Sequence, residues 1–199
     1  DAFKSVSSLK SVKIPGSVTS IGSCAFYGCT SLTNVTLPIS LTSIGYNAFY
    51  NCISLTSITI PGSVTSIGNY AFFSCRNMES ISIPDSVTSI GKNAFQRCSS
   101  LKNITLPKGI VKIDGFAFDE CDSLKYKRYE EARYLGTEDN PYFAVFDTEG
   151  YSFDVHPDTK IIVGGAFDGA RISNAIIPKG VIYIGGRAFE NCYSLSRVP

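Results

Sequence analysis

Residues 63–84 read SVTSIGNYAFFSCRNMESISIP, and the same pattern recurs every 23 residues on both sides of this segment. Each copy places a proline, an Ala-Phe pair, a cysteine and a leucine-type residue at fixed offsets. The most regular positions are Pro15, Pro38, Pro61, Pro84 and Pro107, and Phe26, Phe49, Phe72, Phe95 and Phe118. A unit of 23 residues is too short to bury its own apolar side chains, so successive units must stack and share a core. The pattern therefore predicts a repeat solenoid.

Within one unit, the order of residues predicts two short strands and a turn. Residues 55–60 alternate apolar with polar side chains, so Ser57 and Thr59 should point outward from a short strand. Residues 64–67 are expected to form a second extended piece, and residues 69–75 a helical turn. Strands of successive units should pair about 4.8 Å apart. The expected fold is a right-handed solenoid of short parallel strands plus helical turns.

The quoted segment resembles the BspA-type leucine-rich repeat, a 23-residue class found on bacterial and some protist cell-surface proteins. The resemblance covers about residues 1–124 and 157–199, and six or more copies keep the same register. It implies a curved leucine-rich-repeat solenoid, an extracellular location, and a role in adhesion or in binding host proteins. It implies no catalytic residues.

The repeat is interrupted over residues 125–156, where charged and aromatic residues replace the apolar pattern. Within this stretch, residues 142–146 and 151–155 flank a turn-forming DTEG segment, which predicts a β-hairpin that projects from the solenoid. We expect one continuous domain made of leucine-rich repeats (1–124), the hairpin insertion (125–156) and resumed repeats (157–199). Because the chain starts and stops inside repeat units, we also expect a fragment of a longer protein, with leader and anchor outside it.

Composition argues against several classes of function. The chain has 199 residues with 18 basic and 17 acidic side chains, a balance without the concentrated basic patch that nucleic acid requires. No stretch approaches the ~20 consecutive apolar residues of a membrane span. His156 is the only histidine and has no recognisable nucleophile partner, and no acidic cluster has the spacing of a calcium loop. The sequence thus predicts no enzyme, metal or cofactor, no nucleic-acid partner, no membrane insertion, and a chain that is monomeric in solution.

Six of the seven cysteines share one repeat position, between the core-facing phenylalanine and leucine. They are Cys29, Cys52, Cys75, Cys98, Cys121 and Cys192. Adjacent units could bring the first five within disulfide range, but a core position favours free, buried thiols that act as small hydrophobic side chains. A linear ladder does not converge on one point, which argues against zinc. Cys24 lies off this ladder and is predicted to be the one exposed thiol.

The first candidate partner-binding surface consists of the outward strand positions, which stack into polar columns. Ser57 and Thr59 represent the two columns, and Asn103 and Thr105 continue them. Such columns offer many weak hydrogen bonds. Asn34 and Asn103 also begin N-glycosylation sequons, which matter only in a eukaryotic source.

Two aromatic surfaces are further candidates. A stripe that follows each core phenylalanine either contacts a partner or stacks internally to stabilise the coils; it consists of Tyr27, Tyr50 and Phe73. The insertion combines aromatic with acidic side chains, and inserted loops often carry binding residues. Its candidates are Tyr142, Tyr151 and Phe153.

Together these features predict a non-enzymatic binding or adhesion module of a cell-surface or secreted protein. It would recognise a host or extracellular protein or a glycan. The alternative is a structural spacer that presents another domain of a longer surface protein.

Overall fold

A computed structural model describes residues 1–148 and 154–198 of the chain. These residues form two compact units. Unit 1 contains Asp1–Ile110 and Phe116–Lys125, and unit 2 contains Val111–Gly115 and Tyr126–Pro199. Each unit is built from short strands, and no helix occurs in either described range.

Unit 1 is a stack of coils in which each coil contributes two strands. In chain order these are β1 (Ser11–Lys13), β2 (Ser20–Ile21), β3 (Asn34–Thr36), β4 (Ser43–Ile44), β5 (Ser57–Thr59), β6 (Ser66–Ile67), β7 (Ser80–Ser82) and β8 (Ser89–Ile90). The two-residue strands β2, β4, β6 and β8 pair in parallel in that order. Among the three-residue strands, β1 pairs with β3 and β5 with β7, also in parallel. Every paired residue lies 23 positions from its partner, which confirms the predicted solenoid.

The segment predicted as a helical turn is not helical. In residues 69–75 the N–H groups of Tyr70, Phe72 and Ser74 donate to carbonyl oxygens of the following coil, each at 2.8 Å. The N–H groups between them bond three residues back within the same coil. Tyr70 and Ser74 adopt left-handed backbone angles, with φ of 57° and 59°, and such residues interrupt the bonds to i−4 that an α-helix needs. The segment therefore links adjacent coils much as a strand does.

The core of unit 1 is a column of phenylalanine rings, one from each coil. Successive rings are stacked nearly parallel with centroids 5.2 or 5.3 Å apart, in the order Phe3, Phe26, Phe49, Phe72, Phe95 and Phe118. Phe72 is fully buried between Phe49 and Phe95. This arrangement confirms the register that the sequence predicted.

The ladder cysteines also make a bond that the sequence did not reveal. Each Sγ donates to the carbonyl oxygen of the phenylalanine 25 or 26 residues earlier; for Cys75 this is Phe49, at 3.2 Å. The same carbonyl oxygen accepts the N–H of Cys52 at 3.2 Å. Both lone pairs of the Phe49 carbonyl are thus satisfied, one within its own coil and one from the next. The thiol therefore has a polar role in addition to filling space.

Unit 2 combines resumed repeats with the insertion. Its strands are β9 (Lys112–Ile113), β10 (Lys127–Tyr129), β11 (Ala132–Leu135), β12 (Ala144–Thr148), β13 (Ile161–Ile162) and β14 (Tyr183–Ile184). β10, β11 and β12 are antiparallel neighbours, whereas β12, β13 and β14 pair in parallel. The insertion therefore extends the repeat sheet by three strands.

The hairpin lies earlier in the chain than the sequence predicted. It is formed by β10 and β11, which turn at Glu130 and Glu131. Residues 142–146, predicted as a hairpin arm, instead lead into β12, whose two edges are occupied by β11 and β13. Tyr134 and Val145 are fully buried, so this part of the insertion packs into the core of unit 2 rather than projecting. Residues 151–153 of the predicted second arm lie outside the described residues, and the proposed domain boundaries stay a prediction.

Candidate partner-binding surfaces

The polar columns of unit 1 lie on the outer face of the three-residue strands. In β5 the side chains of Ser57 and Thr59 are exposed, while Ile58 between them is buried. Asn103 and Thr105 are exposed in the same way, and the backbone of Asn103 forms a parallel β-bridge with that of Ser80 in β7. None of the four candidate side chains has a hydrogen-bond partner among the described residues. All four side chains therefore point outward as predicted, and their role in binding a partner stays a prediction.

Other hydroxyl columns in unit 1 are occupied by internal hydrogen bonds. Thr65 Oγ1 donates to the carbonyl oxygen of Thr42 at 3.4 Å, and Thr88 Oγ1 to that of Thr65 at 3.3 Å. Ser63 and Ser86 hydroxyls likewise donate to the preceding coil, at 2.6 and 2.7 Å. The Thr42 carbonyl also accepts the backbone N–H of Thr65 at 3.0 Å, and the Thr65 carbonyl that of Thr88 at 2.9 Å, so each threonine hydroxyl adds a second hydrogen bond to a carbonyl that is already bonded. The face of β5 differs because its hydroxyls are not used in this way.

The aromatic stripe is an internal stack. The Tyr27 and Tyr50 ring centroids are 4.6 Å apart, and those of Tyr50 and Phe73 are 4.7 Å apart, with the rings nearly parallel. Both faces of Tyr50 are therefore covered. The Lys4 ammonium and the Arg97 guanidinium lie over the outer rings, each 5.6 Å from a centroid, and add cation–π attraction. The stack stabilises the coils; partner contact through ring edges stays a prediction.

Two tyrosines that were not singled out from the sequence extend this stripe sideways. Tyr70 contacts Phe73 at 5.7 Å, and Tyr46 meets Tyr70 edge-on at 6.0 Å. Burial raises the pKa of the Tyr50 hydroxyl, and the neighbouring tyrosines add to the effect. Tyr46 and Tyr70 are separated in the sequence by slightly more than one repeat length, and this spacing could have indicated their contact.

The aromatic residues of the insertion pack on one another in unit 2. Tyr142 stacks on His156 with centroids 4.0 Å apart and meets Tyr134 edge-on at 5.7 Å. The buried Tyr134 hydroxyl accepts the backbone N–H of His156 at 3.1 Å. Tyr142 and His156 thus serve mainly as packing groups. Tyr151 and Phe153 lie outside the described residues.

All seven cysteines are free thiols. Burial raises the pKa of Cys52 to about 12, and it raises the pKa of Cys75 well above its ordinary value. Thiolate is the nucleophile and the metal ligand, so these thiols are inert in the folded chain. Cys24 is half-buried, and so is Cys192, so the prediction that Cys24 alone would be exposed was wrong. Cys192 lies in a coil whose core positions are partly exposed, since Phe189 and Leu195 are also only half-buried.

Metal-binding clusters and membrane spans are both absent from the described ranges. Within residues 1–148 and 154–198, no three His, Cys, Asp or Glu side chains lie close enough together to hold a metal ion. In the same part of the chain, no helix is long and apolar enough to cross a membrane.

Comparison with known proteins agrees with the coil geometry. A model of the BspA type leucine rich repeat region matches residues 1–134 and 142–199, with six copies. The chain belongs to this family. Among curated proteins, none matches this BspA-type chain.

Solved structures similar to this BspA-type chain are bacterial leucine-rich repeat proteins. A leucine-rich repeat protein from Bacteroides ovatus is 27% identical over 99% of the chain, with a TM-score of 0.59. A leucine rich repeat protein of T. pallidum is 27% identical over 94%, with a TM-score of 0.62. A leucine rich cell surface protein from Faecalibacterium prausnitzii is 30% identical over 96%, with a TM-score of 0.53. The chain spans 56%, 78% and 60% of the lengths of these three proteins.

Proposed function

We propose that this chain is a non-enzymatic binding module of a cell-surface or secreted protein, and that it engages an extracellular or host protein or a glycan. The observation that carries the proposal is the outer face of the three-residue strands. Ser57 and Thr59 of β5 are exposed there without a partner among the described residues, and so are Asn103 and Thr105 at the equivalent repeat positions after β7. Family membership and the similarity to a Faecalibacterium cell surface protein support display outside the cell.

The chemistry of this face suits a partner with its own repeated polar groups. A single neutral hydrogen bond contributes only about 0.5–1.5 kcal/mol net. Columns that repeat at every coil can supply many such bonds to one extended partner. The face is nearly uncharged along β3, β5 and β7, because these strands contain only Asn, Ser, Thr and apolar residues.

The proposal is tested by binding of the purified chain to a panel of extracellular-matrix proteins, mucins and glycans. Thr59→Arg places a bulky charge on the outer face and should weaken binding to any partner of this face by about tenfold or more. Thr65→Arg is the matched control, since Thr65 is an exposed threonine of the same coil on the β6 side. This control should bind like the unmodified chain.

The alternative, a structural spacer, predicts no binding to any member of the panel. That result would overturn the proposal. Equal loss of binding in Thr59→Arg and Thr65→Arg would remove the outer face as the site. In that case Tyr27→Ala and a Gly-Ser replacement of residues 137–155 distinguish the aromatic stripe from the insertion.

A further inference from the structure

Unit 2 contains an open groove with a cavity volume of about 530 Å³. Its walls come from the end of β10, the segment after residue 153, and two successive coils. The side chains that give it chemical character are Tyr129, Asp154, Lys160, Ile176 and Lys179. The volume is within the range of ~300–1,000 Å³ that is usual for small-molecule sites.

Two groove residues depart from the repeat pattern in ways that folding does not require. Ile176 occupies the outward position that is Thr59 in β5 and Ser82 in β7, and its exposed fraction is 48%. Lys160 occupies a different repeat position, the one that is Thr65 in unit 1. The Thr65 hydroxyl donates to the preceding coil, whereas the lysine has no hydroxyl. An exposed isoleucine and a charged lysine thus replace hydroxyl groups on adjacent coils.

A third departure makes room for the lysine. Gly180 stands at the position of Ser63 and Ser86, whose hydroxyls bond to the preceding coil. A Cβ atom at Gly180 would lie 2.5 Å from Lys160 Nζ. The ammonium group therefore occupies space that a side chain would fill in other repeats.

The backbone of Lys160 is held firmly in place. Its N–H donates to the carbonyl oxygen of Phe143 at 2.9 Å, and its own carbonyl accepts the N–H of Ile182 at 2.8 Å. Lys179 lies in the turn closed by the bond from Val181 N–H to the Pro178 carbonyl at 3.0 Å. Both lysines are thus presented from hydrogen-bonded backbone rather than from loose loops.

The charged groups of the groove are not neutralised by one another. Neither Lys160 nor Lys179 has a carboxylate within 4.0 Å among the described residues, and the Asp154 carboxylate has no cation at that distance in the same set. Two ammonium groups that have no carboxylate partner among the described residues attract an anion, and a carboxylate can accept hydrogen bonds from hydroxyl groups. The Tyr129 ring and the Ile176 side chain supply apolar surface beside them.

We propose that this groove binds a carboxylated sugar, such as a uronic or a sialic acid residue of an acidic glycan. Lys160 and Lys179 contact the carboxylate, Asp154 accepts from ring hydroxyls, and Tyr129 and Ile176 pack on the apolar face of the ring. A short, concave groove with an aromatic wall is suited to a single pyranose ring, and the oligoglutamate peptide in the experiment below tests the alternative of an acidic peptide. This inference goes beyond the proposed function, because the groove is a second site in unit 2, whereas the outer face with Ser57 and Thr59 belongs to unit 1.

The test is titration of the full ¹⁵N-labelled chain, followed by NMR, with sodium glucuronate, N-acetylneuraminate and neutral methyl glucoside. We expect one or both acidic sugars to shift resonances of Lys160, Lys179 and their neighbours, and the neutral sugar to bind at least about tenfold more weakly. Lys179→Gln should lower the affinity for the acidic sugar by about tenfold. Lys13→Gln, which removes the same charge from an exposed site on β1, should not change it.

A second pair of variants tests the role of the space at Gly180. Gly180→Ala should displace the Lys160 ammonium and weaken binding. Gly186→Ala should bind normally, because a Cβ atom at Gly186 would have no other atom within 4 Å. Circular dichroism and urea unfolding show whether each variant is folded.

Several results would overturn the inference while leaving the proposed function intact. They are equal affinity for neutral and acidic sugars, equal loss in Lys179→Gln and Lys13→Gln, and binding of an oligoglutamate peptide in place of either acidic sugar. Absence of any binding across the wider panel of proteins and glycans would instead refute the proposed function itself.

Discussion

Replacing Phe72 by alanine tests the ring column that holds unit 1 together. The ring is fully buried, and each of its faces stacks on a neighbour at 5.3 Å. Burying a phenylalanine contributes about 1.5–3 kcal/mol, and each aromatic pair adds about 0.5–1.5 kcal/mol. Backbone hydrogen bonds fix the distance between coils, so the cavity left by Phe72→Ala cannot close. The expected loss in the free energy of unfolding is therefore about 3–5 kcal/mol.

The chain provides a matched control for this variant at the same repeat position. Among the described residues, Phe3 stacks on Phe26 alone, at 5.2 Å, and its exposed fraction is 39%. Phe3→Ala should thus cost only about 1 kcal/mol. Both values can be measured by urea unfolding followed by circular dichroism. A loss below about 1 kcal/mol for Phe72→Ala, or equal losses in the two variants, would refute the idea that the column carries the stability of unit 1.

Three other expectations follow from particular contacts. Gly68→Ala should lower the unfolding free energy by more than about 1 kcal/mol, because the new Cβ would lie 2.7 Å from the Gly45 carbonyl carbon. Gly22→Ala is the control and should be nearly neutral, because a Cβ at Gly22 would meet nothing within 4 Å. Maleimide should label Cys192 in the native chain and reach Cys75 only on unfolding, as mass spectrometry can show; fast labelling of Cys75 would contradict its burial. Burial and the Asp114 carboxylate raise the pKa of Tyr183 to about 12. Since this pKa exceeds the unfolded value of about 10, the protonated Tyr183 hydroxyl stabilises the fold fully below about pH 10, and this stabilisation is lost as the pH rises towards 12. Urea unfolding at several pH values should show this dependence in the unmodified chain and not in Tyr183→Phe.

The sequence was sufficient to predict the stacking of coils, because the 23-residue period fixes which residues become neighbours. The strand at 57–59, its outward Ser57 and Thr59, and the burial of Phe72 all follow from that period and from alternation. Local conformation was harder to predict. Tyr70 and Ser74 are not residue types that indicate a left-handed backbone, so the segment between them was assigned as helical. Asn47 and Asn93, at the Tyr70 position of other coils, were the available signal.

The insertion was harder to predict because it has no period. Its aromatic residues suggested a hairpin at 142–155, but they could not indicate that β12 would be paired on both edges. The groove was also missed in the sequence. Lys160, Ile176 and Gly180 are each unremarkable alone, and only their positions within the repeat reveal that hydroxyl residues have been replaced at three neighbouring places. Aligning the last coils with the regular ones would have exposed these exceptions.

The regular hydrogen bonding between coils has a consequence for how such a chain can change in length. In unit 1, a coil donates and accepts the same set of bonds toward its neighbours, as the Tyr70, Phe72 and Ser74 N–H groups illustrate. Duplication or deletion of one whole 23-residue unit within unit 1 therefore restores every contact type at the new junction, and lengthens or shortens the stack by about 4.8 Å. An insertion of any other size displaces the phenylalanine and cysteine columns from alignment. Insertions and deletions in unit 1 should therefore be tolerated when they comprise whole 23-residue units. The length of the stack can then vary while the residues on each of its faces keep their type and alignment.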